Sequence, residues 1–218
     1  MASTVANGRR RKVPPREFKR AATMHTELPA FTHLETERLL LRRFAARDLA
    51  PFLAYLNDPL VARYQTWESY TEEQARQVIE EQQRLSPGQP GKWFTFAAEL
   101  KEAKSLVGHI ALSVKEADPR QAEIGFTFAR QYQGRGLARE AAARVLDYCF
   151  DSLKLHRVIA VGDAENERSA ALLRRLGMRR EGHFVENIWF KGKWGSEFLY
   201  AVLAREWRAK RTAPESDG

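Results

Sequence analysis

The sequence predicts one domain of the α/β (α+β) class, built on a sheet that contains an antiparallel meander. Its 218 residues, 44% of which are hydrophobic, suffice for one well-packed core and are few for two. Three strand-like segments between residues 93 and 130 follow one another across short polar turns, which indicates consecutive hairpins. After Gly136 the apolar spacing becomes helical, so helices are predicted to follow the meander.

The first predicted elements are a strand and two helices. The apolar run Leu39–Leu41 predicts the strand. Asp48 is predicted to cap a short helix that ends near the Asp-Pro pair at 58–59, because the residue before a proline disfavours helical backbone. Thr71 and Gln74 have the spacing of a capping box and predict a second helix, which ends before a Ser-Pro-Gly-Gln-Pro-Gly segment.

The remaining elements complete the predicted order β-α-α-β-β-β-α-β-α-β-β. Alternating or β-branched apolar residues mark the strands, and apolar residues at helical spacing mark the helices. In chain order, these elements are strands at 93–100, 106–115 and 122–130, a helix to about 152, a strand at 157–161, a helix at 167–176, and a hairpin of strands at 179–190 and 196–204.

The chain is predicted to consist of a domain at residues 34–207 and two flanking segments. Residues 1–33 form a basic extension, since residues 1–24 alone carry seven Lys or Arg against one Glu in a chain of formal net charge +8. Such an arm could contact RNA or a ribosome through residues 9–20, and the alternative is a disordered, solvated extension. Residues 208–218 have the composition of a disordered tail.

Composition also argues against several classes of protein. No window approaches the roughly 18 consecutive apolar residues that a membrane-spanning helix needs, and no apolar segment follows the basic N-terminus. Cys149 is the only cysteine and the five histidines are scattered, so neither a disulfide nor a metal site is predicted. We therefore expect a cytoplasmic protein whose chemistry needs no metal.

The segment from Gln131 to Ala138 lies between a predicted strand and a predicted helix. Glycine at 134 and 136 lets the backbone approach a ligand closely, and the helix that starts there presents unpaired N–H groups and the positive end of its dipole. These features predict a site for an anion such as a pyrophosphate. The spacing matches neither a Walker loop nor the dinucleotide fingerprint.

In this context the sequence resembles the GCN5-related N-acetyltransferase (GNAT) superfamily, whose coenzyme A loop has the pattern Gln/Arg-x-x-Gly-x-Gly/Ala. The similarity spans roughly residues 34–207. Within the superfamily, the sequence is most similar to the branch of ribosomal-protein N-terminal acetyltransferases and their antibiotic-modifying relatives. The segments that carry this finer resemblance are Thr36-Glu37-Arg38-Leu39, Asn166-Glu167-Arg168-Ser169-Ala170, Leu176-Gly177-Met178 and Lys191-Gly192-Lys193-Trp194.

The resemblance implies a mixed central sheet with splayed middle strands, helices on both faces, and acetyl-coenzyme A as the acetyl donor. The strand before the loop would lie along the pantetheine arm. The asparagine before the later helix would also hold this arm, although a helix cap is an alternative role for it. The coenzyme-binding residues implied in this way are Phe126, Phe128, Gln131, Gln133, Gly134, Arg135, Gly136, Leu137, Ala138, Arg139 and Asn166.

Transfer of an acetyl group to an amine needs a neutral amine and a proton for the departing thiolate. The resemblance implies that the Ser169 hydroxyl protonates or hydrogen-bonds the thiolate, as a hydroxyl on this helix can do in this branch. Its alternative role is to stabilise a helix N-terminus. The resemblance implies Glu123 as the base, because some relatives carry a glutamate at this strand position, and a solvated strand carboxylate or bulk water are the alternatives. Glu186 is the second choice for the base or orients the substrate amine.

The acceptor side is less well defined. Trp67 and Tyr70 are the main candidates to line it, with Trp93 and Trp189 as further ones, although aromatic residues at such spacing are often core. His109 and His156 are expected to be packed strand residues, and Cys149 to be buried.

The expected activity is direct attack by a protein N-terminal amine on the thioester in a ternary complex. A small amine or an aminoglycoside-like antibiotic is the alternative acceptor. A non-catalytic module that binds coenzyme A and holds RNA or a ribosome through its basic arm is the alternative class. Either a monomer or a homodimer fits the sequence.

Overall fold

The computed structural model describes residues 31–212, which form an eight-stranded mixed sheet with helices on both faces. The predicted basic arm at 9–20 and the end of the predicted tail at 213–218 lie outside the described residues. The strands are β1 (His33–Glu35), β2 (Leu39–Arg42), β3 (Trp93–Leu100), β4 (Ser105–Val114), β5 (Gln121–Phe128), β6 (Arg157–Asp163), β7 (Arg179–Phe190) and β8 (Lys193–Leu203). The helices are α1 (Leu49–Leu56), α2 (Pro59–Ala62), α3 (Glu72–Arg84), α4 (Leu137–Asp147), α5 (Glu167–Arg175) and α6 (Ala204–Thr212).

The sheet consists of two antiparallel parts joined by one parallel contact. Its strand order is β1-β2-β3-β4-β5-β6-β8-β7, and the predicted meander is confirmed by the antiparallel pairing of β3, β4 and β5. β5 and β6 run parallel, but their pairing starts at Gln121 with Arg157 and ends at Glu123 with Ile159. β5 continues to Phe128 and β6 to Asp163, so the two strands separate and the predicted splay is confirmed.

Opposite faces of the sheet pack against different helices, as predicted. On β3, successive side chains point to opposite sides, with Phe96 in one core cluster and Ala97 in the other. The first cluster includes Leu137 and Ala141 of α4 and Leu173 of α5. The second cluster includes Phe52 and Tyr55 of α1 and Ala75 and Ile79 of α3.

The predicted start of the domain at residue 34 is too late by a few residues. Phe31 packs edge-on against Phe94 and Phe96, with ring centroids 5.5 and 5.3 Å apart, and β1 begins at His33. β1 has three residues, which is too short for an apolar alternation to be visible in the sequence.

The predicted disordered tail is wrong for residues 208–212, which belong to α6. The helix is rich in charge, and its anchor is the buried Trp207, whose Nε1 donates to Asp147 Oδ1 at 2.8 Å. Arg208 donates to the backbone oxygen of Phe150 at 2.9 Å. One buried aromatic in a polar segment is too weak a pattern to predict a helix.

Asp48 does not cap α1 through its side chain, contrary to prediction. Its carboxylate instead accepts bonds from the Arg42 guanidinium at 2.6 and 2.8 Å and from the Ala45 N–H at 2.7 Å. The capping box of Thr71 and Gln74 at α3 is confirmed. Among the described residues, no helix is long and apolar enough to cross a membrane.

Candidate active site

The loop between β5 and α4 takes a backbone conformation that favours glycine at two places. Gly134 has φ +76° and Gly136 has φ +79°, a region that L-residues other than glycine rarely enter. Gly136 stands directly before α4, and no side chain caps the helix there. A Cβ at Gly134 would meet no atom of residues 31–212 within 4 Å, so this part of the chain leaves the loop open.

The start of α4 therefore offers unpaired donors to a ligand. The first N–H groups of an α-helix have no partner within the helix, and the helix dipole adds partial positive charge at that end. Gly136 has no side chain that could accept a hydrogen bond from these N–H groups. The first hydrogen bond of the helix is donated by the Glu140 N–H to the Gly136 oxygen, at 3.0 Å. This is the geometry of a phosphate-binding helix terminus.

The loop's own side chains contribute unequally. Gln133 turns back, since its Nε2 donates to the Phe128 oxygen at 2.8 Å and ties the loop to the end of β5. Arg135 lies over the Tyr132 ring, with its guanidinium carbon 5.6 Å from the centroid. Gln131, Arg135 and Arg139 are exposed, whereas Leu137 is part of the core.

β5 forms one wall of the gap that opens beyond Glu123. Phe128 is buried in the α4-side core and Phe126 packs against it, so these two side chains serve the fold while their backbone faces the gap. Glu123, Gly125 and Thr127 alternate with them and point to the opposite face. A Cβ at Gly125 would meet no atom of the described residues within 4 Å, so these residues leave free volume beside Glu123.

Glu123 lies at the last paired position before β5 and β6 separate. Burial raises the pKa of its carboxyl, the charge of Glu197 raises that pKa further, and Lys115 lowers it in part. The hydrogen bonds and ion pairs between described residues do not include this carboxylate. A half-buried carboxylate with a raised pKa and no fixed partner can take up a proton.

Ser169 and Asn166 belong to the start of α5, above the separated part of β6. The Ser169 hydroxyl oxygen is 3.8 Å from the position that a Cβ on Gly162 would occupy. Asn166 Oδ1 accepts from the Ser169 N–H at 3.1 Å, so Asn166 does cap α5, and its amide nitrogen stays available. Gly162 is three residues beyond Ile159, the partner of Glu123, so Ser169 lies about 10 Å further along β6.

The segment between α2 and α3 brings two predicted acceptor-side residues together. The rings of Trp67 and Tyr70 meet edge to face at 5.8 Å, and both pack partly against the second core cluster. Trp67 Nε1 donates to the Leu56 oxygen at 3.1 Å. Asn57 makes two hydrogen bonds with the Tyr70 backbone, at 2.7 and 2.9 Å. Both aromatic residues are therefore held in fixed positions.

The β7–β8 hairpin carries Glu186 at an irregular position. The register of the two strands shifts between Phe184 and Ile188, and Glu186 within this bulge has φ +48°. Its N–H donates to Ser196 Oγ at 2.9 Å. Bulges and non-glycine residues with positive φ are common beside functional sites, because they redirect a side chain.

The tip of the same hairpin reaches the end of α2. Lys191 Nζ donates to the Ala62 oxygen of α2 at 2.6 Å. Trp189 stacks edge-on with Trp194 at 5.5 Å and is 61% exposed, so it belongs to the outer surface of the hairpin. Trp93 is likewise exposed, at the start of β3.

Three residues with titratable side chains, two histidines and the cysteine, are not placed among the candidate catalytic groups. His109 is partly buried, its Nδ1 is 2.7 Å from the Tyr55 hydroxyl, and burial lowers its pKa to about 4. His156 is exposed just before β6, so the prediction of a packed strand residue is wrong for it. Cys149 is buried, as predicted, and burial raises its pKa. Among residues 31–212, no cluster of His, Cys, Asp and Glu has the make-up of a metal site.

The splayed sheet and the glycine loop together have the geometry that an enzyme with a phosphate-bearing donor needs. Residues 38–179 match the family model of the acetyltransferase (GNAT) domain. The chain belongs to the GNAT family and is an acetyl-coenzyme A-dependent N-acetyltransferase, as the resemblance implied.

Similar proteins agree with this assignment. The chain is 34% identical to the Bacillus subtilis "Uncharacterized N-acetyltransferase YnaD", over 80% of this chain and 99% of that protein. A GNAT-family acetyltransferase structure from Bacillus anthracis is 34% identical with a TM-score of 0.72, covering 80% of this chain and 100% of that one. The B. subtilis "Putative ribosomal N-acetyltransferase YdaF" is 28% identical over 63% of this chain and 87% of its own length.

One part of the site has no clear signature in the sequence. Glu140, in the first turn of α4, accepts hydrogen bonds from Thr36 and Arg38, which lie between β1 and β2. An acidic residue in a first helical turn is common for dipole reasons alone, so its position does not predict a distant partner. More than 90 residues separate the partners in the sequence, so no local sequence pattern predicts this contact.

We expect Gly136→Ala to weaken coenzyme A binding about tenfold, because a Cβ at this positive φ costs about 1–2 kcal/mol or shifts the loop. Titration calorimetry with coenzyme A measures the effect. Gly192→Ala is the matched control, since Gly192 has φ +78° in the hairpin turn and open space around its Cβ position. Equal affinity of Gly136→Ala and Gly192→Ala for coenzyme A would contradict the assignment of this loop.

Proposed function

We propose that this N-acetyltransferase acts on a protein N-terminal amine and that the reaction takes place in the gap between β5 and β6. The observation that carries the proposal is the separation of these strands immediately beyond Glu123, with the anion-binding loop at the far end of β5. A ligand with a phosphate group and a long flexible arm fits this shape. Coenzyme A has both features.

Residues of the loop and of the two walls would hold the coenzyme. The N–H groups at the start of α4 bind the pyrophosphate, and the exposed guanidinium groups nearby add charge-assisted bonds. Backbone groups of β5 that lack a partner strand bind the pantetheine arm. The residues proposed for this role are Phe126, Phe128, Gln131, Gln133, Gly134, Arg135, Gly136, Leu137, Ala138, Arg139 and the amide nitrogen of Asn166.

Two side chains handle the protons of the reaction. Acetyl-coenzyme A supplies an activated acetyl group as a thioester. The pKa of Glu123 is raised and therefore lies closer to neutral pH than that of an ordinary glutamate. Its carboxylate accepts the proton of the attacking amine directly or through a water molecule. The Ser169 hydroxyl donates a hydrogen bond to the departing sulfur from the α5 side. Glu123 and Ser169 lie on opposite walls of the strand gap, so Glu123 serves the attacking amine and Ser169 serves the departing sulfur.

Fixed polar and aromatic groups on the other face of the sheet suit an amine at the end of a peptide. Trp67 and Tyr70 line the approach, and Glu186 in the β7 bulge attracts the charged amine before it loses its proton. The exposed hairpin and the segment before α3 leave the approach open, which an acceptor that continues as a peptide requires. The similarity to a relative described as a ribosomal N-acetyltransferase supports this acceptor.

A polyamine is the second candidate acceptor. The spermidine N(1)-acetyltransferase of Escherichia coli K12 is 30% identical over 44% of this chain and 51% of its own length. Glu197 stands near enough to Glu123 to raise its pKa, so two carboxylates could attract a polycation. The partial coverage makes this the weaker proposal. An aminoglycoside remains a third acceptor to be tested.

A panel of acceptors tests the proposal. We expect N-terminal peptides of ribosomal proteins to release free coenzyme A from acetyl-coenzyme A faster than spermidine or aminoglycosides do. Ser169→Ala is expected to lower kcat about 100-fold while coenzyme A affinity stays unchanged. A preference for spermidine or an aminoglycoside would contradict the proposal that the acceptor is a protein N-terminal amine. Tight coenzyme A binding without turnover of any acceptor would indicate a non-catalytic binding module.

The pH profile of kcat/KM tests Glu123 as the base. Its raised pKa predicts that activity falls with decreasing pH at a value above that of an ordinary glutamate, about 4.3, because the protonated carboxyl cannot accept a proton. Glu123→Gln should lower kcat/KM about 100-fold and remove this acidic limb. Glu197→Gln should retain activity and move the limb to lower pH, since it removes a neighbouring negative charge. An unchanged profile in Glu123→Gln would assign the base to another group.

A further inference from the structure

The turn between β1 and β2 is tied to the coenzyme loop by a network of hydrogen bonds. Glu140 Oε1 accepts from Thr36 Oγ1 at 2.5 Å and from the Arg38 N–H at 2.9 Å. Glu140 Oε2 lies 2.7 Å from Arg38 Nε and 2.6 Å from its Nη2. The carboxylate is thus held by one backbone donor and two side chains from the same turn.

The Arg38 guanidinium also reaches the loop itself. Its Nη1 donates to the Arg135 oxygen at 2.9 Å. Its Nη2 is 3.4 Å from the position that a Cβ on Gly136 would occupy. Arg38 therefore contacts the peptide between the two glycines and, through Glu140, the first turn of α4. It joins the two parts of the anion site to each other.

The network fixes the direction in which the loop presents its donors. An Arg135 carbonyl held by Arg38 points toward the sheet edge, and because the peptide is planar, the N–H of Gly136 must point the other way. Glycine at 134 and 136 would otherwise let this peptide rotate freely. Glu140 anchors the helix whose N–H groups complete the site.

We propose that Arg38, acting through Glu140 and the Arg135 carbonyl, is a positioning residue that orients the loop for the pyrophosphate of coenzyme A. The inference rests on the proposed role of this loop. Arg38 is itself paired with a carboxylate, so its charge is neutralised and it serves as a clamp on the backbone and not as a phosphate ligand. Arg42 and Glu99, by comparison, form an ion pair that touches no part of the loop.

The test compares a full donor with a donor that lacks phosphate. In Arg38→Lys the bidentate contact and the bond to the Arg135 oxygen are lost, while the positive charge remains. We expect the Kd for coenzyme A to rise about tenfold, the effect of one lost charge-assisted hydrogen bond, and kcat at saturating acetyl-coenzyme A to change less than about twofold. With S-acetylpantetheine as donor, kcat/KM should be unchanged, because this donor has no pyrophosphate.

A second variant and a matched control separate positioning from general damage. Glu140→Gln keeps the shape of the side chain and should show the same difference between the two donors. Arg144→Lys is the control, since Arg144 Nε donates to the Glu35 oxygen at 3.1 Å and ties α4 to the same turn without contact to the loop. Thermal unfolding of each free protein confirms that it is folded.

Each outcome decides one point. Unchanged affinity for coenzyme A in both Arg38→Lys and Glu140→Gln overturns the positioning role, and so does an equal loss with acetyl-coenzyme A and S-acetylpantetheine. Loss of affinity in Arg144→Lys to the same extent would show that attachment of the helix, and not orientation of the loop, matters. Failure of the unmodified protein to bind coenzyme A would overturn the proposed function together with this inference.

Discussion

The short parallel contact between β5 and β6 is the constraint on which the rest of this structure depends. Three residue pairs join an antiparallel meander to an antiparallel β6-β8-β7 unit, and beyond Glu123 the two parts diverge. Strands that diverge leave backbone groups without partners, which is costly unless water or a ligand satisfies them. The two parts of the sheet stay together across the gap because residues of α4 and α5 pack into one hydrophobic core on the same face of the sheet. The fold therefore holds open a slot with unsatisfied backbone donors and acceptors.

The groups that we propose for catalysis and for coenzyme binding lie along this slot. Burial raises the pKa of Glu123 at the closed end of the slot. α5 places Ser169 on the opposite wall, about 10 Å further along β6. At its open end, glycines at positive φ expose the N-terminus of α4. None of these groups is unusual alone. The point at which β5 leaves β6 determines the position of each of them, which is why we propose them as parts of one site.

Much of this organisation could be predicted from the sequence, because it follows from local pattern. The meander, the capping box at Thr71 and the loop at Gly134 and Gly136 each have short-range signals. The site residues Glu123 and Ser169 came from family resemblance, and their catalytic roles remain predictions. α6 and the contact between Arg38 and Glu140 depend on partners far apart in sequence, so no periodicity predicts them. The proposed acceptor side includes irregular segments, such as the β7 bulge, whose geometry is set by tertiary contacts.

Amide hydrogen exchange with and without coenzyme A tests the central claim most directly, since it reports on the backbone of the gap. Alternate N–H groups of β5 beyond Glu123 face away from β4 and lack a partner strand. We expect coenzyme A to slow exchange in residues 124–128, in the loop at 133–139 and at the start of α5. Protection confined to other parts of the sheet, or no protection of β5 at saturating coenzyme A, would contradict a site built on the splay.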